Sequence, residues 1–164
     1  MKKPVVTICS SANFYRKAVE LQSLLEKAGY RTIIPSTAEK MKESGDYEAS
    51  HYRTWLTNTD DYHKKTKLMR THFKEIENGD VVLIINEEKH GIADYIGGNV
   101  LIEMALAFYL NKPIYILNDI PKQSTFLEEI IAMAPIVLHG NNQTLLDNLA
   151  KSVIHLDEMQ GANE

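Results

Sequence analysis

The chain has 164 residues, 44% of them hydrophobic and 24% charged, the composition of an ordinary globular domain long enough to bury a core without metal or disulfide support. Eighteen Lys and Arg against 22 Asp and Glu give a formal net charge of -4, which excludes the strongly basic surface of a sequence-independent nucleic-acid binder. Cys9 is the single cysteine and no run approaches the ~20 apolar residues of a membrane span, while the Met-Lys-Lys-Pro start enters an apolar run without a cleavage-site pattern. A cytoplasmic protein is expected, with neither membrane nor nucleic acid as partner.

Short apolar runs alternate with stretches of helical period, the sequence form of an α/β sheet with crossover helices. Val5 to Ile8 reads as the first strand, and Phe14, Ala18, Leu21 and Leu25 form the apolar stripe of a helix that ends at Ala28-Gly29. Arg31 to Ile34 reads as a second strand closed by Pro35. A polar excursion over 35–65 follows, with Asp46, Tyr47, His51, Tyr52, Arg53 and Trp55; a structureless loop of that length is uncommon, so it either contains short helices or forms a lid or interface. Leu68, Met69, Phe73 and Ile76 mark the next helix, stopped at Asn78-Gly79. The unbroken apolar run Val81 to Ile85 reads as the central strand of a parallel sheet, covered on both faces.

After a polar loop, 86–96, come Gly97-Gly98-Asn99, a helix over Val100 to Leu110, the break Asn111-Lys112-Pro113 and a fourth strand, Ile114 to Leu117. Thr125 to Ala132 reads as a short helix and Ile136 to Leu138 as a fifth strand. Thr144 to Ile154 reads as a closing helix with the stripe Leu145, Leu149 and Val153. Right-handed crossovers assemble these elements into one domain over 1–156, a doubly wound, flavodoxin- or Rossmann-like sheet of five parallel strands in the order 2-1-3-4-5, with a loose tail over 157–164. Such sheets take ligands beyond the carboxyl ends of their strands, here between strands one and three.

That rule nominates Cys9-Ser10-Ser11, Asn86 with its loop, and Asn118-Asp119. The strongest anomaly is Glu103, the one charged residue between Asp94 and Lys112, in a helix apolar all round and therefore expected to be buried. A buried carboxylate needs a partner or hydrogen bonds. With Asn99 as the helix N-cap, Glu103 lies four residues on, pointing back toward the positive end of the helix. A nucleophile or general base would stand that way; the alternative is a carboxylate paired with a loop lysine or capping a backbone group. Gly97-Gly98 reads either as a plain turn or as a close approach of phosphate or sugar to helix amides. Ser10 and Ser11 either cap the first helix or bind ligand, and Tyr95 either packs or hydrogen-bonds the carboxylate. His72 lies on the stripe of Leu68 and Ile76, a core-edge histidine or a ligand contact.

Other chemistries fail on spacing. Cys9 and Arg16 are separated by six residues where a small phosphatase loop needs five, neither GxGxxG nor GxxxxGK[ST] occurs, and the six histidines show neither HExxH nor HxxxH spacing. Spacing thus gives no metal site, and no cofactor is implied.

From Gly97-Gly98-Asn99-Val100-Leu101-Ile102-Glu103-Met104-Ala105-Leu106-Ala107 to Asn111-Lys112-Pro113-Ile114-Tyr115-Ile116-Leu117, the chain resembles the nucleoside 2-deoxyribosyltransferase superfamily, which includes nucleoside 5'-monophosphate N-glycosidases. Asp80 and the serine-bearing turn after strand one fit it too. The resemblance implies Glu103 as nucleophile on an anomeric carbon, a covalent glycosyl intermediate, and transfer to another base or to water. It also implies a homodimer or higher homo-oligomer. Two family acids differ here: eight residues before Asp80 stands His72, a proton donor near neutral pH, and close before the nucleophile stands Gly97, with Asp94 the nearest acid. The expected activity is N-glycosidic cleavage of a nucleoside or its 5'-monophosphate, with Ser10, Ser11, Gly97, Gly98 and Asn99 at the sugar or phosphate end and Asn86, His72, Tyr95 and Asn118 orienting sugar and base. A nucleotide-binding or sensing module without turnover is the alternative.

Overall fold

The computed structural model describes residues 3–161, with side chains as far as Ser152; the side chain of Val153 and residues 162–164 of the expected tail lie outside the described residues. Five strands, β1 (Val6–Ser10), β2 (Thr32–Ile33), β3 (Val81–Ile85), β4 (Ile114–Ile116) and β5 (Ile136–Val137), pair in parallel in the order β2-β1-β3-β4-β5. This is the expected α/β architecture, with the outer strands shorter than their apolar runs. Every residue of β1 and β3 is buried, which accounts for the lack of polar alternation in Val81 to Ile85: both faces of the sheet are covered.

Alternate side chains of these strands feed two cores. Val6, Ile8, Leu83, Ile85 and Tyr115 face α1 (Tyr15–Lys27) and α7 (Asn142–Gly161), meeting Ala18, Leu21, Leu25, Leu145 and Leu149. On the other face Cys9, Val82, Ile84, Ile114 and Ile116 meet Ile76, Val100, Met104, Ala107 and Ile130 from three further helices. Ala38 of the excursion joins the first core. The excursion folds as α2 (Ser36–Ser44), α3 (Ala49–Tyr52) and two 3-10 turns, Thr54–Leu56 and Thr59–Asp61. Ala38, Met41, Ala49 and Trp55 bury enough apolar surface to fix it on the domain. The next helices are α4 (Tyr62–Asn78), α5 (Gly98–Tyr109) and α6 (Leu127–Ala132). Helix α7 runs on through Asp157, where the sequence places the start of a tail, to Gly161. No helix among the described residues is long and apolar enough to cross a membrane.

One expectation about helix faces changes. Helix α5 is apolar all round but buried only on one side: Val100, Glu103, Met104 and Ala107 face the sheet, while Ile102, Phe108 and Tyr109 are exposed. Gly79 does follow the end of α4, but its φ of -80° is open to any residue, so conformational freedom is not its role. A Cβ there would sit 2.1 Å from Thr7 Oγ1, and that buried hydroxyl donates to the Glu75 carbonyl at 3.1 Å. The end of α4 thus lies directly on β1. Lys112 reinforces this junction by donating from Nζ to the carbonyls of Ile76, Glu77 and Gly79, groups that the helix end leaves without intrahelical partners.

Gly79→Ala is therefore expected to lower unfolding free energy by about 1–3 kcal/mol, the usual cost of forcing atoms into a packed site, and by less in a Thr7→Ala background where the clashing hydroxyl is gone. Urea denaturation of the two single variants and the double variant measures the difference.

Candidate functional site

A pocket of about 240 Å³ opens at the carboxyl end of β1, where the strand order reverses between β1 and β3. It is near the small end of ligand sites, which usually hold ~300–1,000 Å³, and suits one compact ligand. Four segments supply its walls: Ser10 at the end of β1 with Ser11 and Tyr15 following it; Arg53 and Trp55 from the excursion; Lys65, Leu68, Met69 and His72 from α4; and Lys89, Tyr95 and the start of α5 down to Glu103. The excursion therefore closes one side of the site.

Glu103 lies at the floor, 3% exposed. Periodicity puts it there: it shares the inward face of α5 with Val100, Met104 and Ala107. Asn99, one turn earlier, donates from Nδ2 to Glu103 Oε1 at 2.6 Å. Asn99 is not the N-cap that the sequence suggests. Gly97 takes that position in extended backbone, and α5 begins at Gly98, so Asn99 lies within the first turn and its amide is free to bridge side chains. Its Oδ1 accepts from Lys65 Nζ at 2.7 Å. The second carboxylate oxygen, Oε2, is buried and has no hydrogen-bond partner; its nearest cationic group is His72 Nε2 at 3.7 Å.

His72 is buried on α4, as the core-edge reading expects, and it also lines the pocket. Its Nδ1 is 2.5 Å from Glu75 Oε2, a pairing three residues along one helix face. Burial works against a charged imidazole, yet the hydrogen bond to Glu75 and the charges of Glu103 and Glu75 together raise His72 above its ordinary value. Burial pushes the Glu103 carboxyl up, and the His72 charge, a side-chain hydrogen bond with Cys9, the Lys65 charge and the Asn99 amide draw it partway back. Cys9, at the end of β1 on this same face of the sheet, is fully buried, and burial first, then the Glu103 charge, pushes its thiol well up.

The wall of the pocket carries three cationic side chains. Arg53, Lys65 and Lys89 all line it, and both lysines are lowered by burial and by the charge of Arg53. Lys89 Nζ donates to Ser11 Oγ at 2.9 Å and stands 5.1 Å from the Tyr95 ring centroid. Ser10 Oγ is buried without a partner. Neither serine caps α1 through its side chain: Phe14 precedes that helix, and no side-chain capping bond is made there. Tyr95 packs on Gly97, where a Cβ would approach its ring and hydroxyl to 3.0–3.3 Å; the hydrogen bond to Glu103 comes from Asn99 instead. Close approach at this turn is thus first of all that of the Tyr95 ring.

The structure therefore gathers Ser10, Ser11, His72, Tyr95, Gly97, Gly98, Asn99 and Glu103 around one cavity and leaves two expected residues outside it. Asn86 is fully buried, with Nδ2 donating to the carbonyls of Asp119 (2.7 Å) and Asp94 (3.2 Å) and Oδ1 accepting from the Asn118 amide (3.0 Å). Asn118 returns a bond from its Nδ2 to the Asn86 carbonyl at 2.9 Å. This corrects both assignments: neither residue lines the pocket, and their bonds join the loops after β3 and β4. Asp94 lies outside the pocket as well, so Glu103 is the one carboxylate among the lining residues. Sequence reasoning missed Lys65, Arg53, Trp55, Lys89, Tyr15 and Glu75. A signal existed for Lys65, which precedes Leu68, Met69 and His72 by three, four and seven residues on one helix face; the others come together only through folding.

Comparison of the chain with protein-family models and with curated proteins finds no match.

The pairing of His72 predicts a measurable titration. A folded-state value raised above about 6.5 means that the native protein binds more protons than the unfolded chain between the two values, so this contribution to stability is complete below the unfolded value and is lost as pH rises through the folded one. NMR titration of the His72 imidazole should show the raised midpoint, and Glu75→Gln should bring it down.

Proposed function

We propose that the protein cleaves the N-glycosidic bond of a nucleoside 5'-monophosphate, with Glu103 as nucleophile. The observation that carries this reading is the carboxylate itself: one oxygen is fixed by Asn99, the other has no nitrogen or oxygen partner, and the carboxylate lies at the floor of a pocket lined by Arg53, Lys65 and Lys89. The resemblance of residues 97–117 to the nucleoside 2-deoxyribosyltransferase superfamily points the same way, and the fold with its switch-point cavity is compatible with it.

Glu103 Oε2 attacks the anomeric carbon, the carbon–nitrogen bond breaks, and the base leaves with the bonding pair to be protonated from solvent. Water then attacks the glycosyl ester on the vacated face, releasing sugar phosphate and regenerating the carboxylate. His72 supports this from the nucleophile's side. At 3.7 Å from Oε2 its positive charge holds the attacking group ionised, while a base departing from the opposite face of the sugar is beyond its reach. This assigns His72 an electrostatic role in place of proton donation to the base. The phosphate is received by Lys89 with Ser11, by Arg53, and by the α5 amides ahead of Leu101, whose N–H makes the first bond back to Gly97. Ser10 Oγ is free to bind the sugar or phosphate end. Hydrolysis of the monophosphate is favoured over base exchange because cationic, anion-binding groups line the pocket.

A second reading, a nucleotide-binding module without turnover, is favoured by a different observation: burial raises Glu103 and no second acid lines the pocket. Chromatographic detection of free base from a panel of nucleosides and 5'-monophosphates, with and without acceptor bases, separates the two. The expected outcome is release from monophosphates that falls by at least ~10³-fold in Glu103→Gln, with Lys89→Ala raising KM for the monophosphate ~10-fold or more, the loss of a charge-assisted contact, and affecting the nucleoside less. Tight binding by calorimetry without base release would assign the second reading.

A homo-oligomer belongs to the same proposal. Ile102, Phe108 and Tyr109 leave apolar surface on the outer face of α5, and light scattering at micromolar concentration should give a mass of at least two chains; a monomer removes this part.

A further inference from the structure

At the pocket floor, where His72 and Glu103 line the cavity, three residues from three different elements converge. Cys9 is the penultimate residue of β1, His72 stands on α4 and Glu103 on α5; one ligating atom from each lies within 4.8 Å of the other two, and all three residues are buried. Motif spacing in the sequence gives no hint of this, because the residues are separated by more than 30 positions at their closest.

The surroundings are those of a metal site as well as its ligands. Two of the three inward atoms, His72 Nε2 and Glu103 Oε2, are buried without a nitrogen or oxygen partner, and the Cys9 thiol is the group that meets the Glu103 carboxyl from the sheet side; buried polar atoms so sparsely partnered are costly unless something binds them. His72 Nε2 and Glu103 Oε2 stand 3.7 Å apart, slightly longer than the ~3.3–3.6 Å edge of a tetrahedron of nitrogen and oxygen ligands at ~2.0–2.2 Å from a shared ion, so a small inward movement of the two side chains would seat one. The other ring nitrogen of His72 faces the Glu75 carboxylate at 2.5 Å, the outer-shell arrangement that fixes the tautomer and orientation of a metal-bound imidazole. The other oxygen of Glu103 is held by Asn99. Three protein ligands beside a cavity leave a fourth position for water or a small ligand.

We propose that Cys9, His72 and Glu103 bind one divalent ion of the zinc class. A thiolate, an imidazole and a carboxylate form a borderline-soft set that selects zinc or cobalt over magnesium or calcium. Thiolate and carboxylate together neutralise the ion, so the buried cluster carries no net charge. On binding, the Cys9 thiol proton and any proton on His72 Nε2 pass to solvent, and Glu103 Oε2 becomes a ligand. The metal form and the glycosidase form are therefore mutually exclusive uses of one carboxylate, and the ion acts as an inhibitor of the reaction proposed above. Binding itself does not depend on that reaction.

The test is optical and needs no substrate. The full chain is stripped with a chelator, checked for native circular dichroism and titrated with Co²⁺. One equivalent should produce the visible bands of a tetrahedral ion together with a near-ultraviolet thiolate-to-cobalt charge-transfer band, both bleached by one equivalent of Zn²⁺. With a single cysteine in the chain, the charge-transfer band reports Cys9 without a variant. Glu75→Gln should weaken affinity ~10–100-fold through the imidazole it orients. X-ray absorption of the zinc-loaded wild type should show one sulfur near ~2.3 Å with nitrogen and oxygen near ~2.0–2.1 Å. Absence of the charge-transfer band at several equivalents of Co²⁺, or a zinc shell without sulfur, overturns the proposal. In the base-release assay, one equivalent of Zn²⁺ should abolish activity seen in chelator; undiminished release from zinc-loaded protein overturns the shared-carboxylate arrangement, while base release in chelator stands or falls independently of the optical result.

Discussion

The structure is organised around one buried carboxylate. Placing Glu103 at 3% exposure on the inward face of an apolar helix costs free energy that only local partners can offset, and those partners come from three directions. Asn99 reaches it from one turn earlier on the same helix, His72 from α4 with Glu75 behind it, and Lys65 through the Asn99 amide. The packing of α4 against α5 is thereby also an electrostatic junction. Substituting any one partner alters the charge that the remaining groups must accommodate, so their effects are expected to be non-additive.

What permits this junction is the junction below it. Helix α4 can present His72 beside Glu103 because its carboxyl end lies on β1, where Gly79 leaves room for Thr7 and Lys112 gathers the last carbonyls. The same parallel order that places β1 beside β3 opens the crevice above them. The Asn86 and Asn118 amides then hold the two loops beside that crevice in place. A framework role and a ligand role draw on the same residue types at the strand ends, and hydrogen-bond saturation separates them: Asn86 has its amide engaged, whereas Ser10 Oγ and Glu103 Oε2 do not.

Much of the framework was legible because it rests on periodicity. The all-apolar run Val81 to Ile85, the stripe Phe14-Ala18-Leu21-Leu25 and the alternation of elements lead to a parallel sheet in the observed order. The 35–65 excursion was not legible in detail, since its helices are short and its buried residues are scattered: Ala38, Met41, Ala49 and Trp55 fall on no single repeat. Helix α5 misled in the opposite sense. Its composition is apolar on every side, yet Ile102, Phe108 and Tyr109 remain exposed, because the sheet covers one face of a helix and composition alone does not say what meets the other.

By itself the sequence determined the fold, the position of the crevice and the singularity of Glu103, since these follow from local patterns of polarity along one chain. It did not determine that Cys9, His72 and Glu103 meet, that Glu75 stands behind the imidazole, or that Arg53, Lys65 and Lys89 share one rim. Those juxtapositions join residues distant in sequence and carry no spacing of their own. Only the tertiary structure decided them, because the register of β1 against β3 and the seating of α4 on β1 fix, to within a hydrogen bond's length, which side chains share a buried space.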